Sequence, residues 1–104
     1  MARIKYNTLS EQMFYTLIVL NNEHNGSEIV SEVIKLTKNR IILKPGTLYT
    51  LLNQFLNEKI ITETNSHGRK RCYIITEKGK DLLTNEIIRL NQLIIDANTY
   101  SRNI

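Results

Sequence analysis

Four neutral hydrogen-bonding side chains, Thr47, Thr50, Asn53 and Gln54, recur within the stretch KPGTLYTLLNQFLNEKII from Lys44 to Ile61. On a helical wheel they share a face with Gly46 and Asn57. Leu48, Leu51, Leu52, Phe55 and Leu56 take the opposite face, and Tyr49 lies at the boundary. Surface helices usually carry lysine and glutamate on the solvent side, yet this face is uncharged. Asparagine and glutamine can pair bidentately with adenine, while threonine can meet a phosphate or a thymine methyl. The chemistry on offer is recognition of a nucleic-acid groove, set against an ordinary neutral solvated face. Lys44, at the head of the stretch, is grouped with the DNA-binding residues.

A second cluster follows in SHGRKR, where Arg69, Lys70 and Arg71 are consecutive beside a glycine turn. Such a turn can follow a phosphate backbone or enter a minor groove. Alternate strand residues point to opposite faces, so Arg69 and Lys70 near the tip are better placed than Arg71. His67, in the same turn, could donate to phosphate.

Catalytic chemistry has little to work with. Cys72, His24 and His67 are the candidates for a nucleophile or metal site, and none has supporting spacing. Cys72 is most simply a small packing residue, with a redox-sensing thiol as the alternative. One cysteine cannot form an internal disulfide, so nothing suggests an oxidising compartment. No cofactor is implied.

The 104 residues are 41% hydrophobic and 23% charged, which suits one compact domain. Domains this short bury only roughly 60–70% of their unfolded surface, so a long helix with spare apolar surface tends to find a partner chain. Ten of the fourteen basic and six of the ten acidic residues lie in residues 1–75, with four of each beyond. The whole net charge of +4 therefore sits in the front three-quarters, which faces a polyanion better than the tail does. The apolar run from Met13 to Leu20 is far short of the roughly 18 residues of a membrane span and lacks a signal-peptide cleavage pattern. A cytoplasmic protein with no membrane partner is expected.

The elements that would position these residues are legible from periodicity. A capping box at Thr8 and Glu11 predicts a first helix over about Leu9 to Asn21. Ser27 is a predicted cap for a second helix, with Ile29, Val30, Val33, Ile34 and Leu36 as its apolar stripe. Pro45 suits the first turn of the third helix. A hairpin is expected from Ile61–Asn65 paired with Arg69–Ile75. Thr76 then caps a long helix whose Leu83, Ile87, Leu90, Ile94, Ala97, Ser101 and Ile104 are spaced alternately four and three apart. That seam predicts a helix-to-helix contact, against the alternative of a helix folded back on its own domain.

Three helices, a hairpin and a long helix form the order of a winged helix-turn-helix, whose third helix enters the DNA major groove. In three segments, LSEQMFYTLIVL from Leu9, PGTLYTLLNQFLNEKII from Pro45 and GRKRCYIITEKGKDLL from Gly68, the sequence resembles the PadR family of bacterial transcriptional regulators. The resemblance covers nearly the whole chain. It implies homodimers joined through the C-terminal helix with help from the N-terminal one, which usually repress from palindromic operators. It also makes Tyr49 of PGTLY a DNA-backbone contact. The family's HGYEI-like start to the second helix is NGSEI here, so Ser27 stands where an aromatic is often found near the DNA. Ile74 is apolar where many members are polar or basic. With no tryptophan, the aromatic drug-binding pocket of some members has no counterpart, and the tail resembles the small subgroup with a single C-terminal helix.

The expected fold is mainly α with a small β-hairpin, an α+β winged helix-turn-helix. Residues 1–76 form the DNA-binding part and residues 77–104 the dimerisation helix, in one compact unit. The expected function is that of a sequence-specific regulator, a homodimeric repressor and not an enzyme, whose partners are double-stranded DNA and a second copy. Met13, Leu83, Ile87, Leu90, Ile94 and Ala97 are the expected dimer contacts. A small-molecule effector could sit between the long helices beside Tyr100, Ile94 and Met13, which are more simply plain interface core. The rival from another class is a protein-interaction module that recruits a helical partner through its C-terminal seam.

Overall fold

The computed structural model describes residues 8–64, 68 and 70–101. Asn65, His67, Arg69 and Ile104, which carried sequence expectations, lie outside the described residues. Helix α1 spans Glu11–Val19, strand β1 His24–Asn25, helix α2 Gly26–Thr37 and helix α3 Pro45–Asn57. Strands β2 (Ile61–Thr64) and β3 (Cys72–Ile75) follow, and helix α4 runs over Glu77–Tyr100. This is the expected α+β winged helix-turn-helix arrangement.

Two caps differ from expectation. Ser10, not Thr8, caps α1 by accepting from the Met13 amide at 3.2 Å. The amide of Leu9 donates to Glu86 of α4 at 3.0 Å. Asn25, not Ser27, caps α2. Its Oδ1 accepts from the Glu28 amide, and Glu28 Oε1 accepts from the Asn25 amide, each at 2.9 Å. This reciprocal box satisfies two donors that the helix itself leaves open. Ser27 instead donates its hydroxyl to Asn25 Oδ1.

The linker from α2 to α3 turns through Lys38 and Asn39, both with positive φ. Thr37, buried at the end of α2, donates its hydroxyl to the Val33 carbonyl and accepts from the Ile41 amide at 3.0 Å. Leu43 then drops into the core, and α3 starts at Pro45 as expected. Of the α2 stripe, Ile29 and Val33 are fully buried while Leu36 is exposed.

The sheet has three antiparallel strands in the order β1-β3-β2, one more than the hairpin expected. Ile61 faces Ile75 and Glu63 faces Tyr73 across β2 and β3, while Asn25 faces Cys72 across β1 and β3. As the central strand, β3 is covered on both sides, so Cys72 and Tyr73 are both buried although they point to opposite faces. The core gathers Leu17, Leu20, Ile29, Val33, Leu48, Leu52, Phe55, Ile60, Ile61, Tyr73 and Ile75 from α1, α2, α3, the sheet and the turn before β2.

Thr76 caps α4 as expected, accepting from the Gly79 amide at 3.1 Å. Its own amide donates to the Ile60 carbonyl at 2.9 Å, and the adjacent Ile75 amide donates to the Leu20 carbonyl at 2.8 Å. Further along α4, Leu82 and Leu83 pack on the core, Glu86 is buried, and residues 91–100 are all exposed. Glu86 takes both Arg89 Nε and Nη2 at 2.7 Å in addition to the Leu9 amide.

Gly79 has no room to grow. A Cβ there would lie 2.2 Å from the Ile60 carbonyl oxygen and 2.6 Å from Ile75 Cγ1. Gly79→Ala is expected to cost about 2 kcal/mol or more, a drop of roughly 8–16 °C in the melting temperature. At Gly46 a Cβ would meet nothing within 4 Å, so Gly46→Ala in a thermal melt should be neutral or slightly stabilising. Hydrogen bonds from Arg89, then from the Leu9 amide, hold the Glu86 carboxyl below its ordinary 4.5 against the opposing effect of burial. Its stabilising contribution is therefore complete above pH 4.5 and is lost as the pH falls through the lower folded value. Glu86→Gln should be less stable than the parent at pH 7, with the gap closing below about pH 4.5 in melts across that range.

Candidate nucleic-acid interface

Helices α2 and α3 with the β2–β3 wing make one continuous face. Leu48, Leu51, Leu52 and Phe55 anchor α3 to the core. The opposite side presents Gly46, Thr50, Asn53 and Asn57 to solvent, with Thr47 and Gln54 half-buried at its margins. Among the described residues, the side-chain amides of Asn53 and Gln54 have no hydrogen-bond partner. Thr50 differs, because its hydroxyl donates to the Gly46 carbonyl at 3.0 Å and leaves its lone pairs and methyl outward. Lys44 holds the cap position of α3 without a side-chain cap bond, so the positive end of the helix meets solvent beside an exposed ammonium.

A cleft of about 360 Å³ opens between the start of α2, the side of α3 and the root of the wing, lined by Asn25, Gly26, Ser27, Tyr49, Lys70, Arg71 and Tyr73. Ser27, Tyr49, Lys70 and Arg71 therefore come together as a group distinct from the polar solvent-facing side of α3. Gly26 permits the meeting: a Cβ there would be 3.3 Å from the Tyr49 hydroxyl, so glycine lets the ring lie across the first turn of α2. Tyr49 remains half exposed.

Electrostatics divides the cations of this face. Lys70 is exposed and has no ion pair among the described residues. Arg71 has one: its Nε and Nη2 donate to the two carboxylate oxygens of Glu63 at 3.0 Å each. The hydrogen bonds from Arg71 hold the Glu63 carboxyl below its ordinary range, and the same bonds raise the guanidinium above its own. Arg40, at the far end of α2, donates to the Tyr15 hydroxyl at 3.1 Å with its Cζ 5.9 Å from that ring, which ties the linker to α1.

The sequence reasoning did not find Asn25, Gly26, Glu63 or Tyr73 as parts of this face. Asn25 and Glu28 form an N-x-x-E pattern that would have marked the α2 cap. Glu63 requires the strand register, because it reaches Arg71 diagonally across β2 and β3. Cys72 is buried, and burial raises its thiol pKa, which leaves it mostly protonated at neutral pH. Among the described residues no group of three or more His, Cys, Asp or Glu could hold a metal, and no helix is long and apolar enough to cross a membrane.

The sites expected on α4 lie on a different surface. Leu83 and Leu90 are half-buried, while Ile87, Ile94 and Ala97 are exposed, and Ile88, Leu93, Ile95 and Tyr100 add further exposed apolar area. Met13 on α1 is half-buried and packs against the core.

Comparison with known proteins agrees with this fold. The model of the transcriptional regulator PadR-like family matches residues 16–85. A PadR-like transcription factor from Bacteroides fragilis has a similar structure, with a TM-score of 0.68 at 22% identity over 86% of this chain and 88% of that one. A transcriptional regulator from Clostridium thermocellum has a TM-score of 0.70 at 16% identity over 86% and 91%. F93 from STIV, a winged-helix DNA-binding protein, has a TM-score of 0.60 at 20% identity over 80% and 83%. No curated protein matches the sequence.

Proposed function

The chain belongs to the PadR-like family of transcriptional regulators, whose model spans more than half of its length, and on that premise we propose that it binds duplex DNA sequence-specifically as a homodimeric repressor. The observation that carries this reading is the α3 face. It sets outward amides and hydroxyls, free of competing charge, beside a cationic wing. In the major groove, Asn53 and Gln54 would read base edges, with Thr47 and Thr50 beside them. Lys44, Ser27, Tyr49 and Lys70, together with His67 and Arg69 of the wing, would hold phosphates and fix the register. The reading belongs with a cytoplasmic protein that meets the chromosome directly.

The exposed apolar side of α4 supports the dimer. Ile87, Ile94 and Ala97 follow the heptad spacing with Leu83 and Leu90, and a surface of this kind is stable in water when a second helix covers it. Twofold symmetry then requires a palindromic operator, with half-sites roughly 34 Å apart if both α3 helices lie on one DNA face. A dimer also creates a space between the long helices, near Tyr100, Ile94 and Met13, in which an apolar effector could act.

Selection of bound fragments from a random DNA pool, followed across a salt series, is expected to recover a palindrome whose affinity falls steeply with salt. No enriched motif and little retention at low salt would defeat the reading. On the recovered site, Asn53→Ala or Gln54→Ala should each remove about 1–3 kcal/mol of base discrimination. Neutralising Arg69 and Lys70 together should weaken all sequences alike and lower the salt slope by roughly one per lost phosphate contact. Light scattering should give twice the chain mass of 12.1 kDa. A monomer would favour the interaction-module reading.

A further inference from the structure

Arg71 has the wrong neighbours for a simple phosphate contact. It lines the cleft beside Ser27, Tyr49 and Lys70, yet its guanidinium is already held in a fork by Glu63, with both bonds at 3.0 Å. The strand register puts the two side chains within reach of each other. Glu63 lies opposite Tyr73, and Arg71, two residues before Tyr73, projects from the same face on the diagonal. The guanidinium Cζ also sits 5.7 Å from the Tyr73 ring, which keeps the group at the cleft wall.

Among the described residues, no carboxylate lines the cleft itself. Its wall includes Tyr73, which is 1% exposed and whose hydroxyl has no hydrogen-bond partner among the described residues. The wall sets Lys70 and Arg71 beside Asn25, Ser27 and Tyr49, so an incoming oxyanion would meet two cations and several hydrogen-bonding groups. A carboxylate and a phosphodiester each offer two oxygens to the planar fork of arginine in nearly the same geometry. The Glu63 and Arg71 side chains are 38% and 57% exposed, so solvent already reaches the bond and exchange does not require the fold to open.

We propose that Glu63 sets the DNA affinity of this protein: it occupies the Arg71 guanidinium as an internal stand-in for a phosphodiester, and duplex binding transfers Arg71 to a backbone phosphate seated in the cleft. The proposal rests on the DNA-binding reading. Breaking the Glu63 bond offsets part of the gain from the new contact, and the released carboxylate remains close to the DNA strand. Both effects weaken binding to every sequence equally, so Glu63 restrains non-specific association without touching a base.

The test uses the full chain, a mixed-sequence duplex and fluorescence anisotropy across about 50–200 mM salt, because a phosphate contact is independent of sequence. Glu63→Gln should bind about threefold to tenfold tighter than the parent, with a salt slope steeper by roughly one per protomer. In an Arg71→Gln background the same substitution should give no comparable gain. An equal gain with and without Arg71 would overturn the exchange, since loss of a nearby negative charge would then explain everything. Unchanged or weaker binding by Glu63→Gln would overturn it too, because Glu63 would then only brace the wing. If Glu63→Gln lowers the melting temperature, Glu63→Thr, which suits a strand, replaces it with the same expectation. Failure of the parent to bind any duplex at low salt would defeat the DNA-binding reading itself, whereas a parent that binds while Glu63→Gln shows no gain defeats this proposal alone.

Discussion

The carbonyl of Ile60 is where the parts of this molecule are referred to one another. It accepts from the amide and the hydroxyl of Thr76, and Gly79 approaches it too closely for any side chain to intervene. Ile60 follows α3 and precedes β2, while Thr76 follows β3 and caps α4. One acceptor thus relates the end of the third helix, both strands of the wing and the start of the long helix. The adjacent bond from the Ile75 amide to the Leu20 carbonyl brings the end of α1 into the same junction. A shift of α3 must carry the wing and α4 with it, which gives a small domain the rigidity that placing several side chains at once requires.

The surface chemistry follows from that rigidity. Core leucines hold α3 by one side, so its other side can be given to neutral polar groups that contribute nothing to stability. Charge is treated differently on the wing and on the helix. On α3 the outward side chains carry no formal charge, whereas at the wing root Arg71 is balanced by Glu63 within the sheet. A domain with unrestrained cations would adhere to any polyanion, and an internal acid limits that tendency at the cost of some attraction.

Much of this was legible in the sequence wherever the controlling interaction is local. Pro45 at the start of α3, the leucine face behind it and Thr76 before Gly79 all act within one helical turn, and the structure has them where periodicity put them. The errors arise where distant residues decide. Thr8 and Glu11 make a plausible capping box, but Ser10 takes the cap, and the Leu9 amide before it is held by Glu86 from 77 positions away. Asn25 and Ser27 are both capping residue types two positions apart, and the reciprocal bond with Glu28 decides for Asn25. Strand β1 is two residues long and exists only by pairing with β3, so it carries no periodic signal of its own. The Glu63 bond depends on register between strands. Leu36 belongs to the apolar stripe by spacing, yet it falls on the outer side as α2 nears its end.

The distal part of α4 has a different standing from the rest. From Asn91 to Tyr100 every residue is exposed, so that segment draws no support from the core and lends it none. Substitutions there are nearly free of folding cost, whereas substitutions around Ile60, Thr76 and Gly79 are not. The chain is therefore evolvable in two separate compartments. In the proposed dimer, the choice of companion would then drift by single steps along the outer helix while the α3 face stays intact, which would let duplicated copies diverge into lines that no longer associate with one another.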